Sequence, residues 1–105
     1  MGKNGFDLSG RVALVTGGGG HVGAVACAAL AEQGAAVAVL DMERAACERV
    51  AKQVRQTYGR ETLPLVMDLS KEDEVRAAPE AVLARWGRLD VLVNCAALGG
   101  TSDLK

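Results

Sequence analysis

Four short apolar runs alternate along the chain with longer stretches in which apolar residues return every three or four positions. These are Val12 to Val15 closed by Thr16, Ala35 to Leu40, Thr62 to Met67, and Leu89 to Val93 ending in Asn94. The first is too short for a confident helix and too continuously apolar for a strand with one wet face; it and the second read as strands buried inside a sheet, and the other two as further strands. Between them, Val22 to Gln33 places Val25, Ala26, Ala29, Leu30 and Gln33 on one helical face, and Glu43 to Tyr58 does the same with Ala46, Val50, Val54 and Tyr58. Gly34, Gly59 and Gly87 stand where helices should stop. Ser70, with Asp73 three residues on, resembles a capping box for a third helix running to about Trp86. Pro79 lies within it, and its ring excludes an unbent backbone at Val75, so a kink or break is expected near Ala78. Pro64 lacks an N–H and assigns the third strand to the sheet edge or to the start of the paired region. Phe6 and Leu8 are the first residues able to dock on a core, Ser9-Gly10 is a turn, and Ala96 to Lys105 carries no further element.

Strands alternating with helices in this way predict an α/β fold built on a doubly wound parallel sheet. If the strand order is 3-2-1-4, right-handed crossovers put the first two helices on one face and the third on the other. The switch point then lies between the first and fourth strands, and ligands of open α/β sheets bind there, beyond the carboxyl ends. Thr16, the glycines after it, Asp41, Asp68 and Asn94 all fall at such ends. Helices split two and one leave the sheet incomplete, with apolar surface over the first and fourth strands. Self-association into a homo-oligomer, marginal stability or a covering segment is therefore expected.

Gly17, Gly18, Gly19 and Gly20 remove four side chains in succession after the first strand, and Gly23 removes another in the first turn of the helix. Without Cβ atoms the backbone can turn sharply and a ligand can approach its N–H groups. Amides left free at a helix N-terminus, together with the helix dipole, favour an anion such as a pyrophosphate. A strand before, a helix after, a second apolar run and Asp41 at its end complete the context of a dinucleotide fingerprint. The plainer alternative is a flexible linker or an empty turn. His21 either donates a ring N–H to a phosphate or faces solvent. Asp41 either holds a ribose or only caps the following helix, and Asp68 carries the same ambiguity.

Composition narrows the function classes. Half of the 105 residues are hydrophobic but only 3% are aromatic, so Val, Ala and Leu do the packing, as in a parallel sheet covered by alanine-rich helices. A net charge of −1 provides no basic field for nucleic acid or an anionic membrane. Cys27, Cys47 and Cys95 are odd in number, without a C-x-x-C and with a single histidine in the chain, which favours free thiols in a reducing compartment over a metal site. No apolar run reaches membrane-spanning length and the N-terminus lacks the apolar core of a signal peptide, so a cytoplasmic protein with a small-molecule ligand is expected.

The stretch from FDLSGRVALVTGG through LDVLVNCAA resembles the N-terminal half of a short-chain dehydrogenase/reductase. The commoner glycine motif of that family is T-G-x-x-x-G-x-G, in which His21 takes the place of the second glycine. The extended branch uses T-G-x-x-G-x-x-G, which Thr16, Gly17, Gly20 and Gly23 satisfy. The resemblance implies a Rossmann-like domain, of which residues 1–105 are the N-terminal dinucleotide-binding part, and NAD as cofactor. It assigns the pyrophosphate to Gly17 and the amides near it, from Gly18, Gly19 and Gly20 to His21 and Val22, and helix packing to Gly23. It further assigns the adenosine ribose to Asp41 with Met42 beside it, the adenine edge to Asp68 with Leu69, and the inner adenosine or nicotinamide ribose side to Asn94, Cys95 and Ala96. Cys95 and Ala97 stand where the family has asparagine and glycine.

The implied function is transfer of hydride between the nicotinamide and an alcohol or carbonyl substrate. The family's serine and Y-x-x-x-K pair, which handle the proton, have no counterpart here. The single tyrosine, Tyr58, has Thr62 four residues on and suits helix packing. The chain alone is therefore expected to be inactive, and a non-catalytic nucleotide-binding module or a truncated fragment are the alternative readings.

Overall fold

A computed structural model describes residues 7–96; Phe6, Ala97 and the rest of the glycine-rich tail lie outside them. The elements run β1 (Val12–Thr16), α1 (His21–Glu32), β2 (Ala36–Asp41), α2 (Arg44–Tyr58), β3 (Thr62–Val66), α3 (Glu72–Trp86) and β4 (Val91–Asn94). The sheet order is β3-β2-β1-β4 with every pair parallel, as the alternation predicts. Among the described residues no helix is long and apolar enough to cross a membrane.

The two central strands alternate their side chains between two apolar layers. Val15, Val37 and Val39 face α1 and α2 and meet Cys27, Ala31, Cys47, Val50, Ala51 and Val54. Val12, Leu14, Ala38 and Leu40 face α3 and meet Ala78 and Val82. Helices are thus split two and one, and every residue of Val12 to Val15 is buried because both faces are covered there. β3 forms one edge, where the missing N–H of Pro64 is tolerated, and its register places Pro64 beside Val39. β4 forms the other edge. Leu92 points out of it with 63% of its surface exposed, in company with exposed Val75 and Leu83 on α3.

Three local expectations differ from the structure. In α1 the buried residues are Gly23, Cys27 and Ala31, while Val25 is 68% exposed. Every residue from Val22 to Ala31 is apolar or glycine, so no polar face marks the orientation, and close approach to the sheet selects the smallest side chains. The capping box at Ser70 does not form. Ser70 donates both its N–H and its hydroxyl to Asp68 Oδ1, at 2.9 and 2.7 Å, so α3 starts later, from Lys71, and Glu72, Asp73 and Glu74 complement its dipole instead. Finally, α3 is one continuous helix from Glu72 to Trp86 with Pro79 inside it, so the break expected near Ala78 does not occur; Ala78 and Val82 beside the ring are buried against the sheet.

β2 extends to include Asp41, and β4 begins at Val91 rather than Leu89. The shift at β4 has an electrostatic cause. Asp90 is held by both forks of Arg88, at 2.8 Å each, and its Oδ2 accepts the N–H of Val12 at 2.9 Å. A side chain thereby performs the pairing that backbone would have performed at the start of β1. The Arg88 bonds, then that N–H, hold the Asp90 carboxyl down to about 2, below its ordinary 3.8.

Two outcomes follow for stability. Because the folded carboxyl titrates below the unfolded one, its contribution is complete above about pH 4 and disappears as the pH falls towards 2. Asp90→Asn should lower the melting temperature at pH 7, and calorimetry across pH 2–7 should show the gap to the unmodified protein closing on the acid side. Pro79→Ala restores a helix hydrogen bond at a position already helical and should stabilise the fold by about 1–3 kcal/mol in urea titrations.

Candidate functional site

The carboxyl ends of the strands meet above the switch point between β1 and β4. β1 ends at Thr16, whose hydroxyl donates to Asn94 Oδ1 at 2.8 Å, and the same oxygen accepts the N–H of Ala96 at 3.3 Å. Cys95 N–H donates to Thr16 O at 2.9 Å. These bonds fix the two strand ends against each other.

The glycine turn leaves from this point. Gly17 has φ +71°, and a Cβ there would come within 2.7 Å of Ala96 N. At Gly18 it would strike Val39 Cγ1 at 2.8 Å, and at Gly19 it would strike Ala46 Cβ and Asp41 Oδ2 at 2.9 Å. Gly20 differs, because its nearest neighbour would be 3.6 Å away. A Cβ at Gly20 would therefore make only ordinary van der Waals contact. Gly18 N–H donates to Leu40 O at 2.9 Å, which ties the turn to the end of β2.

Gly20 is the N-cap of α1 and supplies no side-chain bond, and the first turn of the helix holds no acidic residue. The first helical N–H with a backbone acceptor is that of Ala24, to Gly20 O at 2.8 Å, so the amides of His21, Val22 and Gly23 have no backbone acceptor among the described residues. They and the helix dipole suit an anion. His21 is the first residue of α1 and is exposed, and Val22 is 71% exposed beside it.

Asp41 comes to this turn from the end of β2. Its Oδ2 accepts the Gly19 N–H at 2.9 Å and its Oδ1 accepts the Glu43 N–H at 3.0 Å. The N-cap of α2 is Glu43, so Asp41 is not the cap itself. Each of its oxygens retains a lone pair. Met42 is 65% exposed next to it. Asp68 stands past β3 with its carboxyl held below the ordinary range by the two Ser70 bonds, and its N–H donates to Glu74 Oε1 at 2.7 Å.

An apolar crevice of about 210 Å³ opens on the α3 side, with Thr16, Asn94 and Ala96 at its polar end and Leu69, Val75 and Leu92 along its wall. Val75, Pro79 and Leu92 were not legible as site residues, and the only signal for them is their apolar character at positions the fold leaves uncovered. The Cys95 side chain instead packs with the α1 and α2 layer. The amides at the start of α1 for a diphosphate, a carboxylate held at the glycine turn and an apolar slot beyond it fit a dinucleotide. Tyr58 ends α2 and packs on the same layer as Cys95, on the opposite side of the sheet from the crevice.

The family described as short chain dehydrogenase matches residues 11–105. D-threitol dehydrogenase of Mycolicibacterium smegmatis is 38% identical over 91 residues, covering 87% of this chain and 35% of that protein. NAD+-bound xylitol dehydrogenase superposes with a TM-score of 0.78 at 39% identity, covering 81% of this chain and 32% of that one. The NADP complex of Pseudomonas aeruginosa RhlG superposes with a TM-score of 0.79 at 36% identity, covering 88% and 36%. The chain spans between 14% and 36% of the length of the curated relatives it matches.

The tightest point of the site is Gly23, where a Cβ would collide with Gly17 O and lie 2.6 Å from Gly18 Cα. Both are backbone and cannot swing aside. Gly23→Ala should cost about 3 kcal/mol in a denaturant titration, at the upper end for overpacking, whereas Gly20→Ala should leave stability nearly unchanged.

Proposed function

Because the chain belongs to the short-chain dehydrogenase family, we propose that residues 1–105 are the N-terminal, dinucleotide-binding part of a single Rossmann-type domain that holds NAD for hydride transfer to or from an alcohol or carbonyl. The observation that carries this reading is the Asp41 carboxylate bonded to Gly19 at 2.9 Å, which joins the ribose-side acid to the phosphate turn in one rigid unit. When bound, the nicotinamide supplies the hydride chemistry and the protein supplies orientation. The amides of His21, Val22 and Gly23 hold the pyrophosphate, and Gly17 to Gly20 shape the turn in front of it, with the amides of Gly18, Gly19 and Gly20 bonded to Leu40 O, Asp41 Oδ2 and Gly17 O. Asp41, with Met42 beside it, takes the adenosine ribose hydroxyls. Asp68 and Leu69 bound the adenine, and Asn94 and Ala96 line the inner ribose side with the Cys95 backbone between them, the Cys95 side chain being turned to the α1 and α2 layer.

Charge supports NAD over NADP. A 2′-phosphate would meet the Asp41 carboxylate, and Gly18 and Met42 provide no cation to offset it. Arg44, the nearest cation in sequence, is paired with Glu48 at 3.4 Å. Relatives named for D-threitol and xylitol support the alcohol side of the reaction. Residues 1–105 contain no counterpart of the family's proton-handling serine and Y-x-x-x-K pair, and this stretch by itself is expected to turn nothing over. Exposed Val75, Leu83 and Leu92 favour a homo-oligomer over a lone monomer.

Calorimetric titration of both cofactors tests the assignment. NAD should bind more tightly than NADP. Asp41→Ala should weaken NAD about 10- to 100-fold, the worth of hydrogen bonds to a charged group, and narrow the gap to NADP. Tighter NADP binding by the unmodified protein, or no change on removing the carboxylate, would leave Asp41 as a structural tie only.

A further inference from the structure

The chain's one histidine opens α1. His21 is exposed, its ring makes no ion pair or hydrogen bond among the described residues, and α1 carries no charged side chain before Glu32 at its end. The groove of about 290 Å³ that His21 lines between α1 and α2 holds no carboxylate, and Tyr58 is its other titratable group. The charged side chain bonded into the glycine turn is Asp41, whose oxygens take the amides of Gly19 and Glu43. Glu43 stands at the cap of α2, and Arg44 after it is paired with Glu48. A charge on the His21 ring is thus left without a fixed partner.

The His21 amide is one of the three at the start of α1 that have no backbone acceptor among the described residues. Only Cα and Cβ separate that amide from the ring, so an anion held by the amide lies within a Debye length of the ring in every rotamer. The Cα–Cβ bond of a helical residue also leans towards the helix N-terminus, which carries the ring back over the turn. Among side-chain types, histidine is the one whose charge ordinarily changes between about pH 5 and 8.

On the dinucleotide reading above, we propose that His21 is a proton-linked contact for the diphosphate, holding it more tightly as an imidazolium than as an imidazole. The ring takes up a proton as the diphosphate arrives, and by linkage the protonated ring favours the diphosphate. Binding is therefore strengthened on the acid side, and the gain is lost as the pH rises through the titration of the bound ring. A neutral ring that only donated an N–H would bind equally at both ends of that window.

NAD is titrated calorimetrically into the protein at about pH 5.5 and about pH 8, on either side of the histidine window. It should bind about 3- to 10-fold more tightly at the lower pH, the range for two solvent-screened charges at this separation. His21→Gln should bind NAD equally at both, and His21→Lys, charged at both, should keep the tighter affinity throughout. Equal affinity of the unmodified protein at the two pH values, or a pH dependence that survives His21→Gln, would overturn the role of the ring and leave the diphosphate site standing. No binding of NAD at either pH would remove both. The ring signal of the single histidine, followed by NMR over the same range with and without NAD, decides the matter even if a variant fails to fold. Its titration midpoint should move up when NAD is bound, and an unmoved midpoint would refute the contact.

Discussion

The rest of the molecule depends on one backbone-to-backbone approach. Gly23, in the first turn of α1, sits against Gly17 and Gly18, and Gly17 in turn sits against Ala96 beyond β4. No Cβ fits at any of these contacts, so α1 lies as close to β1 as a helix can. That closeness explains why the buried face of α1 is made of Gly23, Cys27 and Ala31 rather than of its valines. It also brings the start of the helix over the ends of β1 and β4, where the amides of His21 to Gly23 have no backbone acceptor among the described residues. Packing and ligand chemistry thus place the same demand on the same glycines.

The polar groups around this contact are already committed to one another. Asp41 binds the amides of Gly19 and Glu43, Thr16 binds Asn94, and Asp68 binds Ser70. Each bond fixes a side chain at a strand end, and fixed donors and acceptors lose less entropy when a ligand arrives. Asp90 does similar work at the opposite end of the sheet, where its carboxylate pairs the start of β1 and takes the charge of Arg88. The two ends of the parallel sheet are therefore both closed by carboxylates, one structural and one aimed at the glycine turn.

Much of this was legible in the chain itself. Period and punctuation separated all seven elements, because apolar runs of strand length alternate with amphipathic stretches ended by Gly34, Gly59 and Gly87. Given the strand order 3-2-1-4, the side of each helix then followed from handedness. Orientation was illegible in α1, where Val22 to Ala31 offers no polar face. At Ser70 the sequence signal for a cap was overridden by a nearer acceptor, Asp68. At Pro79 a local penalty was overridden by burial of Ala78 and Val82, a tertiary effect that no window of sequence contains. The wall of the crevice was also hidden, since Val75 and Leu92 come from elements that only the fold brings together.

His21 shows how the glycine pattern can differ at one position without straining the turn. The family's commoner pattern has glycine where His21 stands, yet His21 begins α1 with its side chain exposed and so meets no steric demand. Gly20, an N-cap with extended backbone at φ −83°, is the one glycine of the turn where a Cβ would make only ordinary contact, 3.6 Å from Gly17 O. The pattern Thr16, Gly17, Gly20, Gly23 therefore holds two positions that packing restricts to glycine: Gly17 for its positive φ and the crowding by Ala96, and Gly23 for the contact with Gly17. A methyl group at Gly20 is compatible with the fold.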